Sequence, residues 1–406
     1  MRISTQQMFG RGLDSMQDVN SQLQKTQMQI STGKRLLTPS DDPVASARIV
    51  QLNQELSLNK QYQSNIDMAE NRLTMQDDLL GSINDVLHRV RELTTQAGNG
   101  ALSVEDKNTI AAELRQRLDQ VAGMMNSKDA SGEFMFAGYQ GKQAPFVKDV
   151  SGHYRYQGDE GQRYIQVDKS VTVATSENGK RLFMDVPSAQ KTFTTSASPS
   201  NTAQPPATIS TGQVIDQEAF EAIYPDRMVV EFEAGGTSYT IKLASNNKVL
   251  ASSQPYVQGA PISVAGVQFE IEGQPRENDS FLIETTPKQG FLTTVEKLIY
   301  GLEHVVPGEE GQKVLSSLID DTLVNLKNAE TAILDTRGRI GARLNVIEST
   351  REMHADVAVL SKEVLSELQD LDYAEAVSRM TMEGFVLQAA QQTYTRVTGL
   401  SLFDQI

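Results

Sequence analysis

The sequence predicts a mainly α-helical fold with an inserted β-rich unit, drawn out as an elongated multi-domain rod whose N- and C-terminal helices pair in a coiled-coil-like bundle. Three observations predict it. Heptad-spaced apolar residues mark both ends: Phe9, Met16, Leu23, Ile30 and Leu37 near the start, and Tyr373, Met380, Leu387 and Tyr394 near the finish, with Ala376, Ala390 and Val397 in companion positions. A strict seven-residue repeat keeps one narrow stripe toward a partner helix and imposes a left-handed supercoil. Longer heptad-patterned stretches lie inside these two. Between about residue 131 and Lys288 the pattern changes to alternation broken by glycines, the mark of strands and turns.

Length and composition bound the reading. A chain of 406 residues is too long for one typical core, so more than one domain is expected. The net charge of −15 argues against nucleic acid or an anionic membrane as the main partner. No apolar run approaches the ~18–20 residues needed to cross a bilayer. The opening Met1-Arg2-Ile3-Ser4-Thr5-Gln6-Gln7 lacks the charged head and apolar stretch of a cleaved signal peptide. With no cysteine, disulfides, thiolate metal sites and thiol chemistry are excluded.

The first helix is expected from about residue 5 to Leu36-Leu37, where Thr38-Pro39-Ser40-Asp41-Asp42-Pro43 breaks it. The same stretch starts the second helix: Asp42 is a natural N-cap, and Pro43 fits the first helical position, where its missing N–H costs nothing. Ile66, Leu73, Leu80 and Leu87 mark one seam of that helix, and Ala69, Ile83, Val90 and Ala97 the other. Gly98-Asn99-Gly100 reads as a left-handed stop. Ser103, with Glu105 and Asp106, restarts a shorter helix with Leu114, Leu118, Val121 and Met125 on one face.

Strands are expected at 164–167, 171–174, 228–232, 238–243, 267–271 and 281–283. Gly158-Asp159-Glu160-Gly161 reads as a hairpin turn, and the Ser/Thr/Pro/Ala-rich stretch from Thr192 to Gln213 as a linker or exposed loop. Helix returns at Phe291. Beyond Pro307-Gly308 a stripe of Ile319, Leu326, Ile333, Ile340 and Ile347 passes to Thr350, Val357, Val364 and Leu371. Asp370-Leu371-Asp372 is the expected bend, and Gly399 the expected end of the last helix. Three domains follow: 1–42 with 373–406, a terminal coiled coil; 43–190 with 289–372, a helical bundle with a β-hairpin; and 191–288, a β-rich insertion.

The terminal seam is weak. Its second position in the first helix holds Gly12, Val19, Thr26 and Gly33, and glycine inside a helix costs ~1 kcal/mol relative to alanine. An isolated pair of this quality is marginal in water, so the seam residues are expected to work in assembly, with neighbouring copies adding contacts. Pro39, Asp42 and Pro43 form the expected joint to the next domain.

Catalytic readings do poorly. His88, His153, His304 and His354 are scattered without ligand spacing. The acid pairs Asp41-Asp42, Asp77-Asp78 and Asp320-Asp321 point in different directions on a helix and read as caps and solvated faces. No phosphate loop, H-E-x-x-H or calcium loop occurs. The chain is not expected to be an enzyme, and no cofactor or metal is expected.

Two long motifs carry a resemblance. Gln29-Ile30-Ser31-Thr32-Gly33-Lys34-Arg35-Leu36-Leu37-Thr38-Pro39-Ser40-Asp41-Asp42-Pro43 closely resembles the amino-terminal signature of the bacterial flagellin family. Arg339-Ile340-Gly341-Ala342-Arg343-Leu344-Asn345 and Gln388-Ala389-Ala390-Gln391-Gln392-Thr393-Tyr394 are similar to its carboxy-terminal motifs. Ser40-Asp41-Asp42-Pro43 and the ending Leu400-Ser401-Leu402-Phe403-Asp404 resemble the hook–filament junction branch of that family more than flagellin, the filament subunit, which is the alternative. The resemblance implies a flagellin-like fold and a structural role in the flagellum, outside the cell. Its implied partners are further copies of itself in a ring, the first hook-associated protein, flagellin and a dedicated export chaperone. It also implies export through the flagellar channel without a cleaved signal.

A translocator of an injection-type secretion system would share the lack of cysteine and signal peptide, but should carry a long apolar segment. This chain has none. The middle, from about residue 190 to 288, carries no motif of the family.

Overall fold

The computed structural model describes residues 5–304 and 308–403, with side chains from Gly10 to Arg396 apart from 305–307. In chain order, α1 (Thr5–Thr32), α2 (Pro43–Ala97) and α3 (Val104–Met125) lead into two small hairpins, β1 (Phe146–Lys148) with β2 (Tyr154–Tyr156) and β3 (Tyr164–Gln166) with β4 (Thr172–Ala174). The β-rich part follows: β5 (Pro187–Ala197), β6 (Thr208–Ile209), β7 (Gln213–Val214), the short α4 (Gln217–Glu221), β8 (Met228–Phe232), β9 (Ser238–Leu243), β10 (Val249–Pro255), β11 (Pro261–Val264), β12 (Val267–Glu272) and β13 (Ser280–Lys288). Then come α5 (Phe291–Glu303), α6 (Glu309–Gln369) and α7 (Tyr373–Phe403). The fold is mainly helical with a β-rich insertion, as the sequence predicts.

The chain divides into two compact units, Met1–Ser64 with Ser349–Ile406, and Asn65–Glu348. Both limits fall inside α2 and α6.

The Asn65–Glu348 unit contains two hydrophobic cores. One is helical: Ile66, Leu73, Leu80, Ile83 and Val90 of α2, Leu114 and Val121 of α3, Leu298 of α5 and Ile319, Leu326, Ile333, Ile340 and Ile347 of α6 are all buried in it. Phe136, Phe146 and Phe183 close its end with edge-on ring contacts, 5.2 Å between the centroids of Phe136 and Phe183. Partly exposed ion pairs hold α2 beside α6, with Arg337 on both carboxylate oxygens of Asp77 at 2.8 and 2.9 Å. Ser103 and Asp106 close a reciprocal capping box at the start of α3.

The second core lies in the insertion. An antiparallel sheet of order β10-β9-β8-β13-β5 faces a smaller one of order β11-β12-β6, in which β7 also pairs with β12. Met228, Val230 and Phe232 point inward in strict alternation, as do Tyr239, Ile241 and Leu243.

In the Met1–Ser64 and Ser349–Ile406 unit, α1 packs on α7. Where α2 and α6 meet there, buried His354 stacks on Tyr62 at 5.4 Å, and Asn59 Nδ2 donates to the His354 carbonyl at 2.8 Å. A polar layer inside an apolar seam fixes helix register at some cost in stability.

Several expectations are corrected. α1 stops at Thr32, because Gly33 takes a left-handed φ of 67° and ends the helix there, so Leu37 lies outside it. Gly98, Asn99 and Gly100 keep negative φ, and α2 ends in tight turns instead. The stretch from Thr192 is not a linker. Its β-branched threonines continue β5, which pairs with β13 from Thr192↔Thr286 to Ala197↔Phe281 and buries Phe193 completely. Only 198–207 is loop before β6. Gly158–Gly161 joins two separate hairpins and closes neither, since β2 and β3 do not pair. The last helix runs past Gly399 to Phe403. Asp321 is no solvated acid: burial raises its carboxyl to about 6.

Candidate functional site: the paired terminal helices and their joint

The residues singled out at the two ends come together in one unit, as an antiparallel pair. A Cβ on Gly12 would touch the Tyr394 ring at 3.4 Å, and one on Gly33 would meet the Tyr373 hydroxyl at 2.9 Å. Gly12 and Gly33 are three heptads apart, and so are Tyr373 and Tyr394, so the register holds without a slip between these two fixed points. Counting heptads inward sets Val19 opposite Leu387 and Thr26 opposite Met380. The small positions of α1 thus face the large positions of α7. In the same register Met16 and Ile30 of α1 face Ala390 and Ala376 of α7. The seam looked weak when α1 was read alone because the complement to each small residue lies on the other helix.

Burial follows this scheme. Met16, Leu23 and Ile30 are half-buried, as are Met380, Leu387 and Tyr394, while Thr26 and Ala376 are fully buried. Tyr373 is exposed over much of its ring, because only its hydroxyl end reaches Gly33. The side chains of Phe9 and Val397 lie outside the described residues. Leu37 is half-buried in the joint.

The joint is built by the signature residues. With Gly33 turned into the left-handed region, Lys34 bridges Asp370 as an isolated antiparallel pair. The Leu371 N–H donates to the Gly33 carbonyl at 3.0 Å, and the Arg35 N–H to the Gln369 carbonyl at 2.8 Å. Arg35 Nη2 adds a bond to the Leu368 carbonyl at 3.0 Å, and Gln29 Nε2 holds the Arg35 carbonyl at 2.6 Å. Asp41 then gathers the turn. Lys25 donates to one carboxylate oxygen at 2.6 Å, and the N–H groups of Leu37 and Thr38 donate to the other at 3.0 Å each. These donors, Lys25 first, lower its carboxyl to about 2, so it stays ionised at any ordinary pH.

Asp42 accepts from Val44 and Ala45 at 3.1 and 3.0 Å and caps α2, with Pro43 as its first residue. Asp372 caps α7 in the same way, accepting from Ala374 and Glu375. Pro39 is exposed in the turn between the caps.

Unit Met1–Ser64 with Ser349–Ile406 has an unusual surface. Among its described residues the fully buried apolar side chains are Ala45, Leu52, Leu371 and Ala376. It leaves exposed a longer set of large ones, including Leu13, Met28, Leu360, Met382 at 64% and Phe385 at 68%. Met382, Phe385 and Val386 lie one turn apart on the face of α7 turned away from α1. Neighbouring exposed apolar side chains of this kind make this face of α7 a candidate docking surface.

The histidines do not converge. His88 faces Glu330 at 3.8 Å, His304 faces Glu270 at 3.1 Å, His153 lies beside Glu296, and His354 sits in the α2–α6 seam. Among the described residues no group of three or more His, Asp or Glu side chains is placed to hold a metal ion.

Paired terminal helices, a capped joint between helices and a β-rich insertion make up a flagellin-like architecture. Residues 3–141 match the model of the bacterial flagellin N-terminal helical region. Over its whole length, and 99% of the relative's, the chain is 25% identical to flagellar hook-associated protein 3 of Salmonella typhimurium. The crystal structure of flagellar hook-associated protein-3 from Legionella pneumophila is 28% identical and covers 79% of this chain and 98% of its own, with a TM-score of 0.54. Flagellin of Listeria monocytogenes matches at 27% identity over only 31% of this chain and 45% of its own length. The chain is thus flagellin-like, and it is hook-associated protein 3, not flagellin, that it resembles from end to end.

The antiparallel register is directly testable, since the chain has no native cysteine. A Val19→Cys, Leu387→Cys double variant should form an intramolecular disulfide under mild oxidation. Val19→Cys with Met380→Cys, one heptad out, should not, because their Cα atoms lie beyond the ~7 Å limit. Equal yields from both pairs would refute the register.

Proposed function

We propose that this chain is a structural subunit of the bacterial flagellum that joins the hook to the flagellin filament, and that it is not an enzyme. The observation that carries the reading is the surface of the terminal unit, which exposes more large apolar side chains than it buries. In a ring of copies those faces are covered by the terminal helices of neighbours. The first hook-associated protein would lie on one side of the ring and flagellin on the other. The chain would reach this extracellular position by flagellar export with a dedicated chaperone, as its likeness to hook-associated protein 3 implies. Immunogold labelling of purified flagella is the test: label confined to the hook–filament boundary is expected, and label along the filament would make it a filament subunit instead.

Within this reading the chain works as three domains: 1–42 with 373–406 for assembly, 43–190 with 289–372 as the helical framework, and 191–288 as an insertion. Two separate hydrophobic cores within Asn65–Glu348 support the inner boundary. Replacing 191–288 by a short linker should leave the helical circular-dichroism signal of the remaining residues in place. Loss of helix well beyond the deleted mass would show the insertion to be part of the framework.

The seam residues Phe9, Met16, Leu23, Ile30, Tyr373, Met380, Leu387, Tyr394 and Val397 pair the termini for assembly, and Leu37 packs where they meet the joint. Pro39, Asp42 and Pro43 set the angle at which the pair meets the framework. Replacing all three by alanine removes the helix barrier and the α2 cap, the latter worth ~1 kcal/mol. Cells carrying this variant should swim poorly and shed filaments. Normal motility would show that the joint does not govern assembly.

A further inference from the structure

The face of α5 toward the β-rich part carries Glu296, Lys297, Tyr300 and His304, each tied to a different partner. Lys297 Nζ donates to Thr192 Oγ1 and to the Phe193 carbonyl of β5, and lies 4.3 Å over the Phe193 ring. Tyr300 donates to Glu270 of β12 at 3.3 Å, and His304 Nε2 lies 3.1 Å from the same carboxylate. Glu296 reaches the β1–β2 hairpin: its Oε1 accepts the Tyr154 N–H at 3.0 Å, and its Oε2 lies 3.6 Å from His153 Nδ1. His153 Nε2 in turn sits 2.8 Å from the carbonyl oxygen of Ile209 in β6.

The last contact fixes the chemistry of the others. A carbonyl oxygen only accepts, so His153 carries its hydrogen on Nε2, and a neutral imidazole then presents the Nδ1 lone pair to Glu296. An ionised Glu296 would set acceptor against acceptor in a buried site. One proton on Oε2 turns that opposition into attraction. A cavity of about 350 Å³ opens beside the pair, so solvent can take or return the proton.

We propose that Glu296 and His153 form a one-proton latch, in which a neutral Glu296 carboxyl points its hydrogen at His153 Nδ1 and the imidazole so held fastens the β1–β2 hairpin to Ile209 of β6. Loss of that proton loosens the hairpin from the β-rich core.

The surrounding charges are mixed. Lys148, Asp149 and Arg155 face the pair from the hairpin, Arg115 and Asp119 from α3, Glu270 and Glu272 from β12, and Glu303 from α5 itself, where Lys297 also acts on Glu296. Burial outweighs them: it raises the Glu296 carboxyl to about 7, against the Tyr154 N–H, and keeps His153 below its ordinary value. Between the free carboxyl value of 4.5 and about 7 the closed latch binds more protons than the open one, so closure weakens as pH rises through that window. His153 acts in the opposite sense, and only below 6.5. Lys297, lowered to about 7 by burial, favours closure at higher pH, but its bonds are to β5.

Amide exchange on the full chain, expressed as protection factors so that intrinsic rates divide out, reads the latch at His153–Tyr156 and Ile209–Ser210. Protection there should fall about threefold between about pH 5.5 and 8.5, His153 offsetting part of the Glu296 effect at the acid end, while α3 amides keep theirs. Glu296→Gln places a non-titrating N–H donor at the same point and should stay closed at the higher pH. A wild-type chain without this pH dependence, or a Glu296→Gln chain that follows the wild-type curve, overturns the proposal. Should the variant fail to fold, carbon-13 titration of the wild-type glutamates decides, since a Glu296 carboxyl that ionises like a free one leaves no proton for the latch.

Discussion

The organisation of the terminal unit depends on one short clamp, the backbone bonds between Gly33–Arg35 and Leu368–Leu371. These segments lie more than three hundred residues apart, and closing a loop of that length costs roughly 5 kcal/mol in chain entropy. A few backbone bonds worth ~1 kcal/mol each do not offset it alone. The α2–α6 pairing elsewhere in the chain, through Arg337 on Asp77 and the heptad seams, offsets most of that cost. The clamp then needs only to set direction and register. Gly33 does both: its left-handed turn ends α1, and its missing side chain admits the Tyr373 hydroxyl.

The same arrangement explains why the terminal pair is specific and yet weakly held. Small residues on α1 facing large ones on α7 define a unique antiparallel register, since a slip by one heptad mismatches the ends. Shape complementarity of this kind adds little buried area, however, and half-buried seam positions contribute much less than the ~1.5–3 kcal/mol of a fully buried large side chain. Stability is concentrated in the helical core of Asn65–Glu348, where successive isoleucines of α6 are fully enclosed.

Much of this was legible in the sequence, and the failures have physical causes. The seam of α2, and that of α6 from Ile319 to Ile347, are legible residue by residue because a helical period persists over many turns and each position is buried on one side; the expected continuation through Val357 fails, since Val357 is 47% exposed. The end of α1 was misplaced because heptad counting runs through Gly33 as if it were still helical, whereas its backbone conformation ends the helix. β5 is hidden in the sequence because its Ser, Thr and Ala composition resembles a linker, while the β-branched threonines and a single fully buried Phe193 make a strand. The antiparallel match does carry a signal in the sequence: the Gly12–Gly33 and Tyr373–Tyr394 spacings are identical. The contact of His153, Glu296 and Ile209 had none, since no spacing links residues so far apart in the chain.

That contact also shows a general difference between the two cores and the boundary they share. Each core is apolar and set by period, so substitutions of similar volume should be tolerated there. The boundary at α5 is instead polar, with Lys297, Tyr300 and His304 fastened to β5 and β12 of the insertion and Glu296 to the β1–β2 hairpin of the helical part. Apolar residues of the same size would hold the two parts together at least as well, because burying charges forfeits hydration that pairing only partly returns. What the polar face adds is direction. Every bond there has one partner at one distance, so the insertion can seat on α5 in one register only, and any shift leaves a buried donor or acceptor unmet. The insertion is therefore tied to α5 by a few demanding polar contacts.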